Sequence, residues 1–140
     1  MKMLTPWGLL LVIALGAGLS RAETTATPEQ EATLRTEAWL ALVDKGEYAE
    51  SWKAAASFFR GAVTAEKWKE AVAAARIPLG RVVSRKLKSR KSMEQLPGAP
   101  DGKYVVIQFD TVFEKKARAV ETVTPMLDDG EWRVSGYFIQ

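Results

Sequence analysis

Neither cysteine nor histidine occurs anywhere in the 140 residues. Without cysteine no disulfide can staple the fold, even in an oxidising compartment, so packing must supply the stability. Without histidine there is no Ser-His-Asp or Cys-His constellation and no imidazole general base. The two absences together remove the ordinary ligand sets for zinc, copper and iron. A calcium or magnesium loop needs carboxylates at regular spacing. The nearest approach, Asp128-Asp129-Gly130, reads better as a hairpin turn. No cofactor is therefore expected.

Long apolar runs are scarce as well. The exception is at the start, where Lys2 precedes an uncharged stretch from Trp7 to Leu19. That is the length of a signal-peptide core and too short for a bilayer span, which needs about 20 residues. Ser20 and Ala22 then put small residues at the positions a signal peptidase reads. The expectation is a leader over residues 1–22, cleaved before Glu23, and an exported mature chain, periplasmic or secreted. An uncleaved anchor is the alternative; with no cysteine after the apolar core, a lipid-anchored form is excluded.

Charge of one sign is missing too. Of the 20 Lys and Arg, Lys2 and Arg21 leave with the leader, so 18 basic residues face 17 acidic ones. A balance so near neutral gives no reason to expect nucleic acid, and export argues against it. Residues 23–140 have the size of one domain and need no transmembrane span.

What is present is ordered into two halves. Thr27-Pro28-Glu29-Gln30 is a helix start with a capping box, and apolar positions follow at helical spacing from Leu34 to Val43. Gly46 ends that helix. Tyr48, Trp52, Ala55 and Phe59 read as one stripe on a second helix, closed by Gly61. Thr64 caps a third, carrying Trp68 and Val72, which Pro78 and Gly80 stop. Strands follow: Arg81 to about Arg90, Tyr104–Phe113, Arg118–Met126 and Glu131–Ile139. Lys115-Lys116 and Asp129-Gly130 are read as their turns. Helices first and strands after in one small domain predict an α+β fold, three N-terminal helices on an antiparallel sheet of about four strands.

A group of residues carries a resemblance. It includes Trp39-Leu40, Gly46-Glu47-Tyr48, Ser51-Trp52, Arg76-Ile77-Pro78-Leu79-Gly80, Ser84-Arg85, Leu96-Pro97-Gly98, Glu121-Thr122-Val123 and Trp132–Tyr137. Together these resemble the exported bacterial domain-of-unknown-function family numbered four-zero-one-nine, over about Trp39 to Gln140. More loosely, helices followed by a sheet resemble the cystatin-like superfamily that includes nuclear transport factor two and ketosteroid isomerase. That likeness implies a curved sheet wrapped round helices as a cone, and a pocket at its open end. It lends no activity.

The candidate functional residues each have a plainer reading. Trp39, Trp52 and Trp68 are core anchors or the walls of a ligand pocket. Arg76, Arg81, Arg85, Lys86, Lys88, Arg90 and Lys91 form a run without acids. Such a run is either a solvated edge strand or a surface for an anionic partner such as a lipid head group, lipopolysaccharide or an acidic protein face. A two-residue turn at Lys115-Lys116 sets Asp110 opposite Glu121, a pairing that needs a cation such as Arg85 or Arg133, or a shared proton. Tyr48 and Tyr137 are the tyrosines near enough to assist. The candidate ligand-binding set is therefore Trp39, Tyr48, Arg76, Arg85, Asp110, Glu121 and Tyr137. With this register both sheet faces come out apolar, which predicts a homodimer through the open face.

Three functions remain open: a non-catalytic envelope domain that binds an unknown protein or small ligand, an isomerase or lyase using carboxylate and tyrosine, and a subunit giving surface to an envelope assembly. The first is preferred. Acids buried beside a tyrosine favour chemistry; acids on the open sheet face favour binding.

Overall fold

A computed structural model describes residues 25–140 and Gly18. The expected leader lies almost wholly outside these residues. Four α-helices precede four strands: α1 (Pro28–Asp44), α2 (Tyr48–Ala54), α3 (Ser57–Ala62) and α4 (Ala65–Arg76). After a 3-10 turn (Ile77–Leu79) come β1 (Val82–Met93), β2 (Tyr104–Phe113), β3 (Lys116–Asp128) and β4 (Glu131–Ile139). The strands form one antiparallel sheet in the order β1-β2-β3-β4. The fold is α+β, as the sequence predicts. No helix among the described residues is long and apolar enough to cross a membrane.

Local chemistry explains the element ends. Thr27 accepts from the Gln30 N–H while the Gln30 side chain accepts from the Thr27 N–H, the reciprocal capping box. Thr64 caps α4 through the Lys67 N–H. Gly80 leads into β1 at φ 73°, where a Cβ would stand 3.0 Å from Glu114 Cβ, so only glycine fits. Asp129 and Gly130 both take positive φ in the β3–β4 turn, the geometry that suits a two-residue hairpin.

The second helix expected from the sequence is two. Ala55 and Ala56 are extended, and the Ala56 N–H donates to the Val134 carbonyl of β4 at 2.8 Å. Asp128 then caps α3 from the far end of β3, accepting from the Ser57 N–H at 2.8 Å and from its hydroxyl at 2.9 Å. This break docks the helices onto the β4 edge.

The sheet's faces also differ from expectation. The β2–β3 turn is Glu114-Lys115 rather than Lys115-Lys116, because Phe113 pairs with Lys116. A shift between Thr111 and Phe113 then sets Asp110 opposite Val120 and Phe109 opposite Glu121. A second shift between Thr124 and Pro125 leaves Ser135 as an extra residue in β4, so Val134 and Tyr137 share a face despite their odd spacing. Val123, Val134 and Trp132 therefore pack with the helices, in a core that includes Trp39, Leu40, Val43, Trp68, Val72, Val105, Ile107 and Phe109. Met126 joins Tyr104 and Ala56 in a smaller cluster. The outer face keeps Val106, Val112, Val120 and Phe138, interspersed with Lys86, Gln108, Asp110 and Thr122, and is not the continuous apolar patch that the sequence register implies.

A buried charge network as the candidate site

Strands β2 and β3 point Thr111 and Glu121 into the helix–sheet interface, where an apolar residue would be ordinary. Glu121 is fully buried, and a carboxylate there is tolerable only with charged and hydrogen-bonding partners. It has them. Arg85 of β1 donates from Nε to Oε1 at 2.7 Å and from Nη2 to Oε2 at 3.2 Å. The Thr111 hydroxyl donates to Oε1 at 2.6 Å. The Tyr137 hydroxyl, from β4, donates to Oε2.

The end of α1 completes the cluster. Asp44 accepts from Arg85 Nη1 at 2.8 Å and Nη2 at 3.0 Å, and from Arg76 Nη2 at 2.8 Å. Arg76 closes α4, lies with its guanidinium carbon 5.0 Å from the centre of the Phe113 ring, and reaches the Tyr137 oxygen at 3.5 Å. Two arginines thus balance two carboxylates across α1, α4, β1, β3 and β4. The Arg76 Nε is buried without an acceptor.

Ionisation follows from these contacts. Burial resists the charge on Asp44, yet the bonds from Arg85 and Arg76 outweigh it and hold its carboxyl below the ordinary value. Burial works against the charge on Arg85 too, and its two carboxylates more than restore it. Tyr137 moves far upward, chiefly through burial and then through the adjoining Glu121 charge, so its hydroxyl keeps its proton.

Of the candidate residues, the fold gathers Arg76, Arg85, Glu121 and Tyr137. Trp39 forms the wall beside them: its ring is 5.5 Å from Tyr137 and 5.8 Å from Trp68, and its N–H donates to the Ser51 carbonyl. Asp110 is not part of the site. The one-residue change of register separates the expected pair: Glu121 faces the helices with Phe109, while Asp110 stays on the outer face, exposed and 3.9 Å from Lys88. Nor is Tyr48 a partner of Glu121; it packs half-buried against the core at the start of α2. Arg133, the other cation considered, pairs with Glu131 at 2.9 Å. The sequence reading missed Asp44, Thr111 and Ser51. Ser51 is buried, with its carbonyl accepting from Trp39 and its hydroxyl from Trp68 at 2.9 Å. A threonine alternating with core residues in β2 was the available signal for Thr111.

Each Glu121 oxygen already accepts two bonds, and the Tyr137 proton is held. The surface hollows include a cavity of about 590 Å³ lined by residues such as Met93, Tyr104, Leu127 and Trp132, a groove of about 480 Å³ on the outer sheet face whose lining includes Thr111, and a smaller one of about 280 Å³ beside Trp68, Val72 and Tyr137. A family profile described as "Protein of unknown function (DUF4019)" matches residues 35–137, and the chain belongs to that family. No curated protein matches it.

Proposed function

We propose that this DUF4019 member is an exported, non-catalytic domain of the cell envelope that acts by binding, with the buried charges serving to lock its fold. One observation carries this reading: Glu121 has no exposed surface and both of its oxygens are engaged. A general base must reach the proton it takes, and a sealed carboxylate bonded to arginine, threonine and tyrosine does not. The other acid considered, Asp110, stands on the open sheet face, where binding is the natural use. Export is supported by Lys2, the apolar stretch from Trp7 to Leu19 and the small residues before Glu23.

One feature favours the second reading, an isomerase or lyase: the Tyr137 hydroxyl donates to a buried carboxylate beneath Trp39. It requires an opening that admits substrate to Glu121. Carboxyl footprinting with a carbodiimide separates the two. In the folded protein Asp110 should be modified and Glu121 protected; modification of Glu121 at a rate like that of Asp110 would favour chemistry. The export half is tested by N-terminal sequencing of protein recovered from the host envelope, which should begin at or near Glu23. Unprocessed chain confined to the cytosol would overturn it.

A further inference from the structure

The basic run at the start of the sheet does not act as one unit. Arg76 and Arg85 are consumed by the buried network, and Arg90 turns to the helix side, donating to the Thr33 hydroxyl at 3.3 Å. Strand alternation sends Lys86 and Lys91 the other way, opposite Asp110 and Val106. Lys88 joins Lys86 on that side through its contact with Asp110. Arg118 of β3 joins them across the sheet: with Lys86 it lines the groove of about 480 Å³, whose apolar floor includes Val112 and Val120. Ser84, Asp110, Thr111 and Gln140 are the other polar residues of its lining. Phe138, 52% exposed, stands on the same face, opposite Thr122.

We propose that this outer sheet face docks on an anionic lipid surface, with Lys86, Lys88, Lys91 and Arg118 meeting the head groups and the groove accepting part of an acyl chain. The proposal rests on the reading of the chain as an exported binding domain, and names what it binds. Charge complementarity selects the partner. Four cations and one acid share an open face, in a protein whose overall charge is nearly balanced. The same excess opposes a second copy stacked face to face, which would set like charges together. A folded acidic protein fits less well. It gains most from cations held at fixed positions, whereas these are long exposed side chains near a single acid, Asp110, which stands opposite Lys86 and 3.9 Å from Lys88. A fluid layer of head groups needs no fixed register, and the valine floor and Phe138 suit the apolar boundary beneath it.

The test uses the processed protein recovered from the host and sedimentation with vesicles. The expected result is binding to phosphatidylcholine vesicles containing about one-third phosphatidylglycerol, little binding to phosphatidylcholine alone, and steep weakening with salt. Removing one cation, as in Lys86→Ala, should weaken binding about fivefold. Removing both cations, as in Lys86→Gln with Arg118→Gln, should weaken it about thirtyfold with the melting temperature little changed, since both side chains are exposed and no new acid is set opposite Asp110. Equal binding to both vesicle types, or binding undiminished by the double substitution, would overturn the proposal. So would binding to soluble polyglutamate but not to vesicles, which would point to an acidic protein, or competition by free glycerol phosphate at the strength of the vesicles, which would point to a small-anion site. Any of these leaves the non-catalytic reading standing, because footprinting of Glu121 decides that separately.

Discussion

Raising the pH above 10 acts on one proton of the network in a way the structure makes calculable. Unfolded, Tyr137 titrates at its ordinary value of 10.0; folded, burial and the Glu121 charge push it well beyond. A group whose folded value is raised gives stability that is fully present below the unfolded value and is lost as the pH rises through the range between the two. Above pH 10 the unfolded chain sheds this proton while the native protein holds it. Each further pH unit then costs up to about 1.4 kcal/mol. The loss attributable to Tyr137 is about 1.4 kcal/mol at pH 11 and about 2 kcal/mol at pH 11.5. Urea unfolding from pH 8 to 11.5, followed by tryptophan fluorescence, measures it when wild type is compared with Tyr137→Phe. The variant should start lower at pH 8 by about 1–3 kcal/mol, because Glu121 loses a donor. It should then fall less steeply, so the two curves converge as the pH rises. Lysines and the raised Tyr104 affect both proteins alike. Parallel curves across the range would refute the reasoning, showing that Tyr137 releases its proton in the folded protein as easily as in the unfolded chain.

The core and the caps give further expectations. Trp39→Ala removes a buried ring packed between Trp68 and Tyr137 and should cost about 3–5 kcal/mol by chemical denaturation; half-buried Trp52, bonded to the Val63 carbonyl at 2.8 Å, should cost less. Asp128→Ala unlatches α3 from the β3–β4 hairpin and should cost about 1 kcal/mol, read as a fall in melting temperature. The bonds that lower Asp128, first those from Ser57, and the arginines that lower Asp44 both give stability present above the ordinary carboxylate value of 3.8. That stability should therefore be lost as the pH falls below about 4, by less in Asp128→Ala.

The capping box at Thr27, the Asp129-Gly130 hairpin and the bounds of β2 and β4 were legible in the sequence, because each is set by a few adjacent residues. The break at Ala55-Ala56 was not. Three consecutive alanines favour helix, and only the Val134 carbonyl and the Asp128 carboxylate, both distant in sequence, hold the extended conformation. Register was the deeper loss. A turn misplaced by one residue put Glu121 on the same face as Asp110 and away from the core, and the extra residue at Ser135 is invisible to a strict two-residue period. The network itself was half legible. Arg85 was a named partner for Glu121, and Tyr137 a named neighbour. Asp44 looked like the solvated end of a helix, and nothing local shows that Arg76 and Arg85 converge on it.

The lock formed by Glu121 and Arg85 is tested most directly by a double-mutant cycle on unfolding free energy at neutral pH. Glu121→Gln leaves two arginines facing Asp44 alone, and Arg85→Met leaves Glu121 with only hydroxyl donors; each should cost about 3–5 kcal/mol. With both substituted, neither charge is orphaned by the other's loss. The account predicts a total cost smaller than the sum of the two by about 1–3 kcal/mol. Costs that add to within about 0.5 kcal/mol, or a Glu121→Gln protein as stable as wild type, would contradict it.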